Sequence, residues 1–204
     1  MVMGSTPMNT QVLVIGGGPG GYVAAIHAAN LGLEVTLVEA RDKQGGVCLI
    51  EGCIPSKTLI NAVEHADNVQ NLAPQMGVEA TGVSLNLDNL RKWTTSVVDN
   101  LTGGVGQLLK SRGVDVIKGY ARFKSNNEIV LDESEVPGVK FQQCILATGS
   151  RVRQIPFLKD VDGIWSSVEA LQIPEVPNKL LVVGGGYIGL ELGTVYAGLG
   201  SDVH

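Results

Sequence analysis

Apolar and polar positions along this chain alternate between two kinds of run. Gln11–Ile15, "QVLVI", is a continuous apolar and β-branched stretch, the pattern of a strand buried on both faces of a parallel sheet. Glycines crowd the next six positions. From about Gly18 to Leu31 apolar residues recur at helical spacing, and Gly32 stands where a helix-ending glycine belongs. Leu33–Glu39 is a second strand-like run, so this segment reads as a complete βαβ unit. The same order returns in "KLLVVGGGYIGLELGTVYAGLGSDVH", Lys179 to His204, which makes the chain an internal repeat.

Between the repeats, Cys48 to about Asn71 reads as a helix and residues 72–86 as loop. Leu87 to Arg112 carries Leu90, Val97, Leu101 and Leu108 at helical spacing. Gly103, Gly104 and Gly106 oppose that helix at about 0.5–1 kcal/mol each. "VDVIKGYARF" and "NEIVLD" read as strands of a meander, and "FQQCILATGS" as an apolar strand ending in a small-residue turn. A proline-containing stretch, Ile155 to Pro177, leads into the second unit. These elements predict an α/β protein. Residues 10–150 form a Rossmann-like three-layer dinucleotide-binding domain with a small β-meander. Residues 151–204 form a linker and the start of a second such domain. Residues 1–9 are expected to be a disordered lead or an expression scar, with Met8 a candidate native start. The second unit stops inside its second strand, so the sequence is expected to be part of a longer chain.

Composition narrows the function classes. The 204 residues carry a net charge of −5 with no basic stripe, which argues against nucleic acid. No apolar run approaches the ~20 residues of a membrane span, and the N-terminus lacks the charged and apolar regions of a secretory signal. A cytoplasmic location, or an organellar matrix in a eukaryote, is the expectation. In a reducing compartment a close cysteine pair is catalytic or metal-binding more often than a structural staple.

Gly16-x-Gly18-x-x-Gly21 follows a strand and opens a helix, and Glu39 ends the next strand. Each part answers a physical need: a tight turn, close approach of backbone to a pyrophosphate, close packing of helix on strand, and a carboxylate for ribose hydroxyls. The helix N-terminus adds free N–H groups and partial positive charge. Gly184-x-Gly186-x-x-Gly189 repeats the motif. The residue on its second strand that would separate NAD from NADP lies past His204.

Two of the three cysteines, Cys48 and Cys53, stand five positions apart in "GGVCLIEGCIPSKTLI". In a regular helix such residues are roughly 8–9 Å apart at Cα. A disulfide needs less than ~7 Å. A bridge therefore demands a distorted first turn, which Gly52 and Pro55 permit, and a strained bridge is easily reduced. Lys57 shares a helix face with Cys53 and would favour its thiolate. The plainer alternative is two small buried thiols with no bridge.

"GGGPGGYVAA", "GGVCLIEGCIPSKTL", "ATG" at Ala147–Gly149 and "VVGGGYIGLELG" at Val182–Gly193, in that order, resemble the flavoprotein disulfide reductases. Within that family "CIPSK" is most similar to the dihydrolipoamide dehydrogenase branch. Serine at 56 separates it from the glutathione reductases, which usually have a second lysine there. The resemblance runs from about Thr10 to His204. It implies FAD at the first unit, held by Gly16, Gly18, Pro19, Gly20, Gly21, Glu39, Gly45, Gly46, Val47, Gly119, Tyr120, Ala121, Ala147, Thr148 and Gly149. It implies NAD at the second unit, held by Gly184, Gly186, Tyr187, Ile188, Gly189 and Glu191. Cys48 would be the thiol that exchanges with substrate, and Cys53 the thiolate against the flavin. Lys57 would lie near the flavin and pair with Glu191, and Tyr187 would cover the nicotinamide site. The implied parent is a homodimer that oxidises dihydrolipoamide on a lipoyl-bearing protein of a 2-oxo acid dehydrogenase or glycine cleavage complex. No metal site is implied.

Three positions depart from the family pattern: Val47 for threonine, Ile50 for asparagine and Glu51 for a small apolar residue. Val47 removes a hydroxyl from a flavin contact, and Glu51 adds negative charge between the thiols. A mercuric or other disulfide reductase is the sibling alternative. A cofactor module without turnover is the alternative of a different class, because the family's catalytic histidine belongs to a C-terminal domain not in this sequence. Cys144 reads as a core thiol, and His27 and His65 as packing or surface residues. Trp93 and Trp165 carry no role in this reading.

Overall fold

The computed structural model describes residues 6–153, 155–158 and 161–204. They form two compact units, one from residues 1–50 and 100–150 and the other from residues 51–99 and 151–204. The units are therefore not contiguous in sequence. Residues 51–99 group with the segment from 151 onward because they share an apolar core with it.

The first unit is built on a six-stranded sheet. Its strands are β1 (Met8–Ile15), β2 (Val35–Glu39), β3 (Asp115–Lys118), β4 (Tyr120–Ser125), β5 (Glu128–Asp132) and β6 (Gly138–Leu146), in the order β3-β2-β1-β6-β5-β4. The first four in that order run parallel, and β6-β5-β4 is the antiparallel meander. Strand β1 is central and buried on both faces. Val12 and Val14 face α1 (Pro19–Asn30), with Ala25, Ala28, Val35, Leu37, Leu109 and Val114 filling the layer. Leu13 and Val38 face the other way, onto Ile129, Leu131, Val139 and Phe141. This alternation places layers on both sides of the sheet, as a doubly covered parallel sheet requires.

The structure corrects the sequence reading at several boundaries. Of the expected lead, residues 1–5 lie outside the described residues, but Met8 and Asn9 already belong to β1. They pair with Val139 and Lys140 of β6, and that partner extends the strand past the apolar run. Strand β2 begins at Val35, not Leu33. "VDVIKGYARF" is two strands: Asp115–Lys118 adds to the parallel sheet beside β2, and only the part after Gly119 joins the meander. Gly119 makes the corner with φ +157°, its N–H donating to Glu39 O at 3.0 Å.

The predicted helix from Cys48 is also two elements, α2 (Gly46–Glu51) and α3 (Cys53–Asp67), broken at Gly52 with φ −146° and ψ −113°. The distortion anticipated between the cysteines is thus a complete break. A single π turn, Asn68–Leu72, and a 3-10 turn, Ala73–Met76, end this stretch. Helix α4 spans Leu87–Ser111, and its three glycines do not interrupt it. Their propensity cost is outweighed by the anchoring of Leu90 in one core and Leu109 in another.

In the second unit α3 and the first turns of α4 pack with α5 (Ser167–Leu171) and α6 (Tyr187–Leu199). Leu59, Ile173, Val195 and Tyr196 are fully buried. Strands β7 (Lys179–Leu180) and β8 (Asp202–Val203) pair in parallel over two residues each, shorter than "KLLVV" suggested. Ile173 follows α5 with φ +47°, a strained conformation for a β-branched residue. The Arg91 guanidinium holds it there: Nε and Nη2 both donate to Ile173 O, at 2.9 and 2.6 Å.

Helices α3 and α6 cross where Gly198 meets Val63. A Cβ on Gly198 would lie 1.9 Å from Val63 Cγ1, and Val63 is itself buried. Gly198→Ala is expected to cost about 1–3 kcal/mol by overpacking, read as a lower Tm. In a Val63→Ala background the same substitution should cost clearly less. An unchanged Tm for Gly198→Ala would contradict the close contact.

Candidate functional site

Gly21 and Gly189 occupy equivalent places, one turn into their helices, and neither has room for a side chain. A Cβ on Gly21 would meet Gly16 O at 1.7 Å, and one on Gly189 would meet Gly184 O at 2.2 Å. Each helix thus starts directly on the end of its preceding segment. The caps match as well: Gly18 (φ −75°, ψ −177°) and Gly186 (φ −75°, ψ 169°) open α1 and α6 in extended backbone without a side-chain cap. No side chain blocks either N-terminus. In α1 Pro19 has no N–H and Gly21 N–H turns back to Gly18 O at 2.9 Å, so Gly20 and the partial positive charge of the helix end face outward, an arrangement that suits a pyrophosphate.

Around the first turn the other expected residues converge. Gly45 N–H donates to Gly17 O at 2.7 Å. Gly46 then lies so near the turn that a Cβ on it would be 2.6 Å from Gly18 Cα, at a φ of +58° that already favours glycine. Ala147 N–H donates to Ile15 O at 2.8 Å, and Ala147 Cβ lies against Gly20 and Gly21, which puts the Ala147–Gly149 turn on the same glycine loop. Glu39 is buried at the end of β2. Its Oε2 accepts from Gly17 N–H at 2.6 Å and its Oε1 from Arg41 N–H at 2.9 Å. Each carboxylate oxygen keeps a lone pair for a ribose hydroxyl. Through Gly119 the corner before β4 is tied to the same strand end, which brings Tyr120 and Ala121 to it. A narrow glycine cradle, an uncapped helix N-terminus and an oriented carboxylate fit FAD. Val47 is 41% exposed at the head of α2, with no side-chain hydroxyl to offer.

Cys48 lies half-buried on α2, and Cys53, exposed, opens α3. Neither is joined in a disulfide. In the second unit Lys57 stands one turn after Cys53, and its Nζ is paired with Glu191 Oε1 of α6. Ser56, buried beside Lys57, donates from Oγ to the other carboxylate oxygen, Glu191 Oε2, at 2.8 Å. The hydrogen bond to Glu191 holds the Lys57 ammonium above its usual pKa, with added support from the charges of Glu191, Cys53 and Tyr187. Lys57, and then Ser56, hold the Glu191 carboxyl below its ordinary range. An ion pair this exposed adds little to stability. What it supplies is a defined cation on the helix that carries Cys53. Ser56 was visible in the sequence only as a mark of the family branch; its bond to a residue 135 positions away needed the fold.

Tyr187 and Ile188 are exposed at the start of α6, with Gly184 and Gly186 beside them. Cys144 packs against the first unit's core, and burial pushes its thiol up. His27 and His65 are exposed at the ends of their helices. Trp93 is 61% exposed, and Trp165 lies 5.9 Å from the Tyr196 ring. Among the described residues no group of three His, Cys, Asp or Glu is placed to hold a metal. No helix there is long and apolar enough to cross a membrane.

Comparison with known proteins agrees with this geometry. A family model described as pyridine nucleotide-disulphide oxidoreductase matches residues 10–204, and the chain belongs to that family. Dihydrolipoyl dehydrogenase of Bacillus subtilis (strain 168) is 48% identical over 204 residues. Proteins of the same name from Haloferax volcanii and Staphylococcus aureus are 50% identical over 208 and 204 residues. Each match covers 100% of this chain and 43% of the relative, so the chain spans less than half the length of these curated relatives. Among solved structures, the HOCl-induced flavoprotein disulfide reductase RclA from Escherichia coli is similar with a TM-score of 0.77 at 27% identity. The match covers 95% of this chain and 41% of that one.

The electrostatics of the pair can be read directly. Because the Glu191 pKa is lowered in the folded state, its stabilising contribution is complete above the ordinary value of 4.5 and is lost as pH falls through the lower folded value. A carboxyl-detected NMR titration should place Glu191 below 4.5, and Lys57→Met should move it up. A midpoint at or above 4.5 in the unsubstituted chain would contradict the pairing.

Proposed function

We propose that this chain is the FAD-binding and redox-thiol portion of a dihydrolipoamide dehydrogenase, with FAD at the first glycine turn and NAD at the second. The observation that carries this reading is the thiol segment itself. Cys48 and Cys53 flank a helix break at Gly52, and the second thiol is followed one turn later by a lysine held on Glu191.

In the forward reaction the Cys48–Cys53 pair starts as a disulfide. One thiolate of the substrate dithiol attacks Cys48 Sγ, a mixed disulfide forms, and the Cys53 thiolate leaves. The second substrate thiol, once deprotonated, displaces Cys48 and closes the cyclic disulfide of the product. Two electrons and two protons have then passed from substrate to the cysteine pair. FAD held by Gly16–Gly21, Gly46 and Glu39 would supply the two-electron chemistry that links the thiols to a nicotinamide.

The chain's own residues set up these steps. The break at Gly52 frees the two thiols from the fixed spacing that a regular helix would impose on residues five positions apart. Lys57 supplies a positive charge one turn along the helix from Cys53, the sulfur that leaves. Glu39 orients a ribose through its free lone pairs, and the close Gly18–Gly46 contact keeps side chains off the turn where a phosphate would sit. Tyr187, exposed at the start of α6, would cover a nicotinamide bound at the second turn. A homodimeric parent working in the cytoplasm, or in a mitochondrial matrix, on a lipoyl-bearing protein completes the proposal.

The test is an absorption spectrum of the purified chain saturated with FAD and freed of excess, before and after addition of a dithiol. The expected result is a retained flavin band that gains a long-wavelength shoulder on reduction, the signature of a thiolate against the flavin. Failure to retain flavin would overturn the cofactor assignment. A flavin band with no shoulder would overturn the role given to Cys53.

A further inference from the structure

Glu191 holds two partners on one helix, and only one of them is a cation. Its Oε1 takes Lys57 Nζ and its Oε2 takes Ser56 Oγ at 2.8 Å. The two donors are adjacent in sequence but unequal in freedom. Lys57 is a long side chain, 60% exposed, whereas Ser56 is 5% exposed and short. A lysine alone tethers a carboxylate loosely, because both ends can move together through solvent at little cost. A buried serine cannot follow such motion, and its hydroxyl also lies 3.3 Å from Cys53 O, so its own position is defined by the turn that carries the thiol. The titratable groups facing Lys57 are Glu191, Cys53 and Tyr187.

We propose that Ser56 is a positioning residue. Its buried hydroxyl pins one oxygen of Glu191, so that the other oxygen holds Lys57 at a fixed place one turn from Cys53 and keeps that thiol reactive. This deepens the proposed function, since it assumes that Cys53 is a working thiol. It is testable without flavin or turnover, so its failure is separable from failure of that reading.

The experiment measures the rate of iodoacetamide alkylation of Cys53 in the full chain at pH 7, resolved from Cys48 and Cys144 by peptide mass. Variants are Ser56→Ala, Ser56→Thr, Glu191→Gln and the Ser56→Ala/Glu191→Gln pair. A held cation favours thiolate, so Ser56→Ala is expected to slow Cys53 about two- to fivefold. Ser56→Thr, which keeps the hydroxyl, restores the rate. In the Glu191→Gln background Ser56→Ala has no further effect, because the serine acts only through that carboxylate. A serine that merely packs would give the same fold-change in both backgrounds. If Ser56→Ala does not fold, Ser56→Gly, which also lacks the hydroxyl and adds no thiol, is read in its place. An unchanged rate without the hydroxyl, or an equal change with and without the Glu191 carboxylate, overturns the proposal.

Discussion

The structure depends on a contact that allows no side chain: a helix starting directly on the carbonyl that ends the preceding segment. Gly21 against Gly16 O and Gly189 against Gly184 O are the same contact made twice. Any Cβ at these positions would force the helix off its strand and open the turn. That constraint explains why the glycines stand at fixed spacing in both repeats. It also explains why the helix N-termini are uncapped, since a capping side chain would occupy the space a phosphate needs. In the first unit the constraint spreads outward. Gly46 must be glycine because it lies on Gly18, and that contact in turn fixes where α2 and Cys48 begin.

In the second unit one helix serves two purposes. The N-terminus of α6 is the second glycine turn, and its first full turn carries Glu191 to Ser56 and Lys57 of α3. The remaining length of α6 is core: Leu192, Val195 and Tyr196 are buried against Leu59 and Val63, and Gly198 lets the two helices approach. Burying side chains of this size contributes about 1.5–3 kcal/mol each, far more than an exposed ion pair. Apolar packing therefore sets the distance between α3 and α6. The polar triad uses a geometry it does not have to create.

Much of this was legible from local pattern. The glycine turns, the helices they open, the buried strand before the first turn and the length of α4 follow from period and punctuation within short windows. What escaped was set by partners far away in sequence. Met8 and Asn9 look like a polar lead until β6 pairs with them. Asp115–Lys118 looks like the start of a meander until β2 offers a parallel edge. Ile173 has no local reason for a positive φ; Arg91, eighty-two positions earlier, holds its carbonyl. In the site the same division holds. The motif names Cys48, Cys53 and Lys57, but the partner of Ser56 is a contact across the fold.

The thiol segment combines two electrostatic demands that local sequence leaves in balance. Glu51 puts a negative charge two residues before Cys53, and Lys57 puts a positive one four residues after it. On a continuous helix both would bear on the thiol from nearby turns. The break at Gly52 ends α2 at Glu51 and begins α3 at Cys53, so only Lys57 shares a helix with that thiol. Glu191 is the lysine's pairing carboxylate. Such an anion holds the cation in place but also offsets its field, by an amount set by how the carboxylate is oriented. A second, buried hydrogen bond to that carboxylate is the economical way to set the orientation, and Ser56 is the residue on α3 that provides it.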